Sequence, residues 1–314
     1  MEDKFVKLSV VMSSYNGEQY IKQQLESIQR QERQADEVLI RDDGSTDNTV
    51  NIVRQFIEDH HLDNWHIKIN HQNMGWRANF VNGMIEAKGD LIFFCDQDDI
   101  WNSNKLKVME NIMMTSPKIN VLASNYQELL ESGLGNVGPY ASGHQLKQVK
   151  LYSNYMFVKA PGCTYCVRKE FATAIAKVWD ESYPHDELAW CLALFTDSLY
   201  IYTEPLIEWR QHKTSAFAKE SKSLKSRSKK LDWIKVSQKF NKSVEKFLPL
   251  TVKDDVTNEK TRLLKATDHY LSLRKKFYTS KNAIYGLRLV NYLKLYPRTR
   301  QYLADWYLVF FNRN

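Results

Sequence analysis

A chain of 314 residues with 43% hydrophobic and 12% aromatic content holds enough apolar material for one large domain plus an appendage, or for two domains. Its formal charge of +7 is unevenly spread, because residues 1–212 carry 20 Lys and Arg against 29 Asp and Glu while residues 213–314 carry 24 against 8. Four cysteines are too few for a disulfide scaffold, no apolar stretch approaches the roughly 20 residues that span a bilayer, and the first residues show no signal-peptide pattern.

Leu8-Ser9-Val10-Val11-Met12 is a β-rich run followed by Ser13-Ser14-Tyr15-Asn16-Gly17, where Asn-Gly signals a turn. From Glu18 to Arg30 the residues Tyr20, Ile21, Leu25 and Ile28 fall at helical spacing. Glu37-Val38-Leu39-Ile40 is a second strand that ends in Arg41-Asp42-Asp43-Gly44-Ser45-Thr46-Asp47. Ser45 or Asp47 can cap the helix that carries Val50, Val53, Phe56 and Ile57. Trp65 to Ile69 reads as a third strand, and Phe80 to Lys88 as a helix. The run Leu91-Ile92-Phe93-Phe94-Cys95 then leads straight into Asp96-Gln97-Asp98-Asp99.

A continuous apolar run of that length reads as a strand buried on both faces. Strand, helix, strand, helix, strand predicts an α/β fold with a doubly wound, mostly parallel sheet. Right-handed crossovers bring the carboxyl ends of its strands to one edge, where ligands bind in open α/β sheets. Tyr15-Asn16, Asp42-Asp43 and Asp96 to Asp99 should therefore converge on one crevice. Three carboxylates within four residues repel one another unless a cation joins them, and hard ions such as Mg²⁺ or Mn²⁺ take oxygen ligands while keeping positions open for phosphate. The plainer reading is a solvated turn or a helix N-terminus. There is no GxGxxG after the first strand and no GxxxxGK[ST], which argues against a dinucleotide dehydrogenase or a P-loop kinase.

Farther along, Leu106 to Met113 marks a helix and Val121 to Ala123 a strand, and residues 132–150, Gly-rich and polar, read as a loop. Cys163 and Cys166 form a CxxC without a second pair, so packing is expected of them. A helix through Val178 is followed by His185-Asp186-Glu187 at the start of another, Leu188 to Phe195, and then by short strands Tyr200 to Tyr202 and Pro205 to Trp209. From Lys213 the composition turns Ser/Lys-rich. The expected organisation is a catalytic domain over 1–212, a basic linker over 213–230 and a basic, aromatic helical region over 231–314, with helices around Trp233 to Phe247 and Thr257 to Tyr278. Basic helices with aromatic faces suit an anionic membrane surface, although a bundle with a solvated basic face fits the same pattern.

Val10 to Asn16, Asp42 to Asp47, Asn73-Met74-Gly75 and Asp96-Gln97-Asp98 together resemble the inverting family 2 glycosyltransferases of GT-A fold, over about residues 7–212. Asp96-Gln97-Asp98-Asp99-Ile100-Trp101, Pro161 to Thr164, His185-Asp186-Glu187 and Arg210-Gln211-His212 resemble the bacterial rhamnosyltransferase-like branch that builds surface polysaccharide. The resemblance implies a nucleotide-diphosphate sugar donor, a glycan or lipid-linked glycan acceptor, Mn²⁺ or Mg²⁺, and a place at the cytoplasmic face of a bacterial membrane. It implies that Asp43 meets the nucleotide base with Ser13 and Tyr15 framing it, that Asp96 contacts the ribose, and that Asp98 holds the metal. Asp99 becomes a supporting carboxylate or a sugar contact. Arg77 and Asn79 lie near the donor, although Asn79 also reads as a helix cap. Arg210 would pair with diphosphate, and His212 would be a further metal or phosphate contact. A carboxylate must take the acceptor's proton as it attacks, and the motif places Asp186 in that role ahead of Glu187. dTDP-rhamnose is the expected donor, with UDP-glucose, UDP-galactose or another UDP-sugar as alternatives. Two rivals stay open: a nucleotidyltransferase, which would usually bring a phosphate loop that is missing here, and a nucleic-acid-binding protein acting through the basic tail, which leaves the acidic crevice unexplained.

Overall fold

The computed structural model describes residues 5–140, 143–212, 226–251 and 258–311. Its first half follows the alternation of the sequence. Strands β1 (Leu8–Ser14), β2 (Glu37–Asp42), β3 (Trp65–Ile69) and β4 (Leu91–Asp96) are joined by helices α1 (Ile21–Gln29), α2 (Thr49–Asp59) and α3 (Trp76–Glu86). β1 lies between β2 and β4 and is parallel to both, and β3 is parallel to β2. Along β4, Ile92 and Phe94 enter one apolar cluster while Leu91, Phe93 and Cys95 enter the other. A strand with helices on both faces has no solvated side, so its apolar run is unbroken.

The second half of the sheet is mixed. Strand β5 (Ile100–Trp101) and helix α4 (Lys105–Thr115) precede β6 (Val121–Leu130), β7 (Gly133–Val137), β8 (Leu146–Gln148), β9 (Tyr165–Arg168) and β10 (Leu199–Arg210). The order across the sheet is β3-β2-β1-β4-β9-β6-β10-β5, with β7 on β6 and β8 on β10. β9 runs antiparallel to both β4 and β6, whereas β10 is parallel to β6. The stretch 132–150, expected as loop, thus contains two short strands. The two strands expected around Pro205 are one strand whose register against β6 shifts at that proline, because proline has no N–H to give the ladder.

Helices α5 (Lys169–Val178) and α6 (His185–Phe195) cover the β4 face that also receives α3. Every residue of α6 from Leu188 to Phe195 is buried. Helix α7 (Arg227–Thr251) lays Phe240, Val244 and Phe247 into this same cluster, each burial stabilising by about 1.5–3 kcal/mol. Residues 213–225 of the expected linker lie outside the described residues, and α7 already begins at Arg227. Helices α8 (Asn258–Ser280), α9 (Ala283–Arg288) and α10 (Arg300–Phe310) build a further apolar cluster around Tyr270, Phe277, Leu289 and Leu308. In it Arg274 makes a bidentate ion pair with Asp305, at 2.6 and 2.7 Å, and both side chains are fully buried. Tyr278 and Tyr296 donate to the same carboxylate.

Candidate active site

The crevice forms where β1, β2 and β4 end. Ser13 stands opposite Asp96 on one side and Arg41 on the other, and Ser14 stands opposite Asp42. Neighbouring strands are about 4.8 Å apart, so the three motifs meet.

On the β1–β2 side most carboxylates build the wall. Asp42 accepts from Ser14 Oγ at 2.9 Å, Ser45 Oγ at 2.6 Å and the Ser45 N–H at 2.7 Å. Asp43 is almost fully buried and accepts from Asn70 Nδ2, the Met74 N–H and the Gly75 N–H, at 2.8 to 2.9 Å. Of about four acceptor directions on a carboxylate, three are occupied, and the loop Asn73-Met74-Gly75 is thereby tied to the end of β2. Gly75 has φ +84, a conformation glycine adopts without strain. It occupies the cap position of α3, so the cap expected at Asn79 is not there. Asn79 is fully buried inside α3, donates to Ser13 Oγ at 2.9 Å and to the Arg41 carbonyl, and accepts from Asn70 at 3.0 Å. Tyr15, just past the end of β1, is 45% exposed, while its backbone is clamped by Gln97, which accepts the Tyr15 N–H at 2.9 Å and donates to its carbonyl at 3.1 Å. A Cβ at Gly17 would sit 2.2 Å from Gln97 Oε1, so that clamp requires glycine.

The β4 side carries the acidic cluster. Asp99 is buried, and its Oδ1 accepts the Arg210 N–H at 2.9 Å while its Oδ2 has no hydrogen-bond partner. Asp96, Asp99 and Cys163 bring their donor atoms within 4.8 Å of one another. Burial and the neighbouring charges of Asp98 and Asp186 push Asp96 up to about 7, and burial beside Asp98 and Asp96 drives Asp99 well above the usual carboxylate range. The Cys163 thiol lies beside the pair, and burial among these acids pushes it up as well. Lys105 supplies the only fully buried lysine cation among the described residues. Its Nζ donates to the Cys163 carbonyl at 2.9 Å and stands 4.4 Å above the Trp101 ring, and burial lowers it to about 8.

Asp98 points to a different partner. Its Oδ2 lies 2.7 Å from His212 Nε2, and Arg210 Nε donates to the Asp98 carbonyl at 2.6 Å. Arg210 also reaches Gln23 at 2.8 Å and lies 4.8 Å over the Tyr20 ring, which packs against His212. The end of β10 is thus fastened to the acidic turn and to α1. A hard divalent ion fits this donor set, because it holds an unpartnered buried carboxylate oxygen, a second carboxylate driven to keep its proton, and a carboxylate–imidazole pair alongside. The thiol of Cys163 suits such ions poorly.

Asp186 faces the cluster from the first turn of α6. A Cβ at Gly162 would lie 2.6 Å from Asp186 Cβ and 2.7 Å from its Oδ2, so the turn at residues 162–164 approaches this carboxylate as closely as glycine permits. Asp186 Oδ1 is buried without a hydrogen-bond partner. Glu187 follows on the same turn, half-buried. His185, 3% exposed, lies stacked on Phe80 at 4.4 Å and edge-on to Phe94 and Trp76, with neither ring nitrogen hydrogen-bonded. Burial lowers it to about 4, Arg77 opposing its protonation further. The Arg77 guanidinium stacks over Trp76 at 4.7 Å.

Ser13, Tyr15, Asp43, Asp96, Asp98, Asp99, Arg210 and His212 therefore gather at the ends of these strands with Asp186 facing the acids, while Arg77 and Glu187 lie beside His185 and Asp186. Lys105, Cys163, Gly162 and His185 join them without a sequence signal that would have assigned them there, beyond the occurrence of the last three in segments of the resemblance.

The fold and crevice are those of a GT-A-type glycosyltransferase. Residues 9–171 match the family described as Glycosyl transferase family 2, and the chain belongs to it. It is 29% identical over 260 residues to the dTDP-rhamnosyl transferase RfbG of Shigella flexneri, covering 79% of this chain and 86% of that one. It is 31% identical over 156 residues to the UDP-Glc:alpha-D-GlcNAc-diphosphoundecaprenol beta-1,3-glucosyltransferase WfgD of Escherichia coli, covering 49% of this chain and 57% of that one. Among solved structures, S. aureus TarS 1-349 in complex with UDP-GlcNAc superposes with a TM-score of 0.64 at 20% identity, over 96% of this chain and 81% of that one.

Proposed function

We propose that this glycosyltransferase moves rhamnose from dTDP-rhamnose to a lipid-linked surface glycan in one inverting displacement. The observation that carries the reading is Asp186, a carboxylate held against Gly162, with a buried Oδ1 that has no hydrogen-bond partner, near enough to the acids of β4 to push Asp96 up. In an in-line displacement the attacking hydroxyl and the leaving diphosphate lie on opposite sides of the anomeric carbon. Asp186 accepts the acceptor's proton as the new bond forms. Ser13, Tyr15 and Asp43 line the nucleotide end, and Asp96 meets the ribose. Asp98 and His212 would hold Mn²⁺ or Mg²⁺, with Asp99 behind them, and the ion would supply positive charge for the departing diphosphate. Arg210 keeps the acidic turn in place and adds positive charge beside it, and Arg77 stands at the donor side.

The rhamnose donor is supported by the extent of the similarity to RfbG, which runs well beyond the family segment. A UDP-sugar is the second reading, favoured by the similarity to WfgD. No helix among the described residues is long and apolar enough to cross a membrane, so reaching a lipid-linked acceptor calls for binding at the inner membrane face. The test is thermal stabilisation by a panel of nucleotide sugars, with and without Mn²⁺, since a ligand that binds only the native state raises its stability. dTDP-rhamnose with Mn²⁺ should give the largest shift. A larger shift from UDP-glucose would replace the donor, and no shift from any nucleotide sugar would overturn the reading.

A further inference from the structure

The C-terminal helices leave apolar side chains in solvent that the apolar cluster beneath them does not need. Ile284 and Leu287 on α9 and Val290 after it are 46 to 62% exposed. On α10 and at its C-cap, Leu303, Tyr307, Phe310 and Phe311 are 43 to 71% exposed. Their spacing of three, four and seven residues puts the α10 set on one stripe, opposite the buried set Asp305, Leu308 and Val309. Tyr307 and Phe311 stack on each other at 6.3 Å.

The two helices are fastened side by side. A Cβ at Gly286 would lie 2.6 Å from the Trp306 ring and 2.8 Å from Phe277, so glycine lets α9 close on α10 and α8. Tyr302 donates to the Gly286 carbonyl at 3.2 Å. The buried Asp305, held by Arg274, Tyr278 and Tyr296, fixes the rotation of α10 about its axis. A buried ion pair of this kind is better at selecting one arrangement than at adding stability. Here the arrangement it selects is the one that turns the apolar stripe outward.

The exposed charges of this segment have one sign. Between residues 281 and 311 the exposed Lys281, Arg288, Lys294, Arg298 and Arg300 meet a single acid, the buried Asp305. An apolar, aromatic stripe flanked by Lys and Arg without exposed acids is complementary to the headgroup region of an anionic bilayer.

We propose that the outward faces of α9 and α10 form a preformed docking surface for an anionic lipid bilayer, with Leu287, Leu303, Tyr307 and Phe310 entering the interface and the surrounding Arg and Lys meeting lipid phosphates. It deepens the reading of a lipid-linked acceptor by naming the surface that brings the enzyme to it. The test needs neither donor nor acceptor, so its outcome is separate from that of the sugar-transfer reading. Full-length protein is sedimented with vesicles of phosphatidylcholine alone and of phosphatidylcholine with phosphatidylglycerol. The wild type should partition onto the anionic vesicles. Leu303→Glu with Tyr307→Glu should lower the partition coefficient at least tenfold. Arg298→Glu with Arg300→Glu should lower it on anionic vesicles only, by roughly fivefold or more per residue. Leu134→Glu, at an apolar residue 65% exposed on β7, should leave it unchanged. All four positions in the first two variants are exposed, and unchanged circular dichroism and melting would show that the fold is kept. Wild type that stays in the supernatant would overturn the proposal, as would stripe variants that bind like wild type. So would a wild-type dimer that Leu303→Glu converts to monomer without any vesicle binding, because the face would then belong to a second copy.

Discussion

Replacing Gly162 by alanine puts the assignment of Asp186 under a strictly geometric strain. Gly162 does not use a backbone conformation reserved for glycine, so the substitution acts through contact alone. The added methyl would stand 2.6 Å from Asp186 Cβ and 2.7 Å from Oδ2. Nonbonded carbons settle at about 3.5–4.0 Å, so the carboxylate or the turn has to move by about 1 Å. Overpacking of this kind costs about 1–3 kcal/mol of stability, which a domain of this size tolerates. A reacting group displaced by 1 Å loses on the order of 10²-fold in rate. Steady-state transfer to a synthetic acceptor, beside donor binding by calorimetry, measures both ends of the crevice. The expected result is unchanged donor affinity with transfer reduced about a hundredfold. Wild-type turnover in Gly162→Ala would mean that the carboxylate beside this turn does not take the proton.

Asp98→Ala should remove metal-dependent binding of the nucleotide diphosphate and leave His212 without its carboxylate partner; calorimetry with and without Mn²⁺ reads this, and unchanged affinity would take Asp98 out of the metal site. The stabilisation given by Mn²⁺ should grow from pH 6 to pH 8, because Asp96, beside the proposed metal ligand Asp98, holds its proton up to about 7 and its negative charge above that pH favours a cation; a thermal shift independent of pH would refute this. His185→Phe should raise stability by about 1–3 kcal/mol, since it replaces two buried unpartnered nitrogens by a ring suited to the Phe80, Phe94 and Trp76 cage. That advantage should widen as pH falls from about 6.5 towards 4, where the unfolded chain binds a proton that the buried imidazole refuses; denaturant melts of both proteins at pH 7 and pH 5 test it.

The parallel half of the fold was legible because β1, β2 and β4 carry apolar runs that end in polar residues, β3 is bounded by polar residues, and helical spacing recurs between them. The acidic cluster was legible for the same reason, since Asp96 to Asp99 follow directly on the unbroken apolar run Leu91 to Cys95. The mixed half was harder. β9 is only four residues long and enters between β4 and β6 by pairing that local pattern does not encode. β7 and β8 are short, polar and largely exposed, so their composition matches a loop. Asn79 was open to a capping role because asparagine caps helices well, yet its hydrogen bonds run to Ser13, Arg41 and Asn70 on three other segments. The pairing of Asp98 with His212 joins residues 114 apart, and the buried Lys105 beside Cys163 follows no periodicity. Both are products of tertiary packing, which a residue pattern does not carry.

The proton acceptor is the centre of the account, and Asp186→Asn tests it most directly. The amide has nearly the same shape, so α6 and the Gly162 turn should persist, and donor and metal sites on β4 should be untouched. An amide cannot take the hydroxyl proton, and loss of a general base typically lowers the rate by about 10²–10⁴-fold. The measurement is transfer by Asp186→Asn and by Glu187→Gln, each with donor affinity measured in parallel. The account predicts full donor affinity in both, transfer reduced by at least about a hundredfold in Asp186→Asn, and a milder loss in Glu187→Gln. Wild-type transfer by Asp186→Asn beside an inactive Glu187→Gln would contradict it.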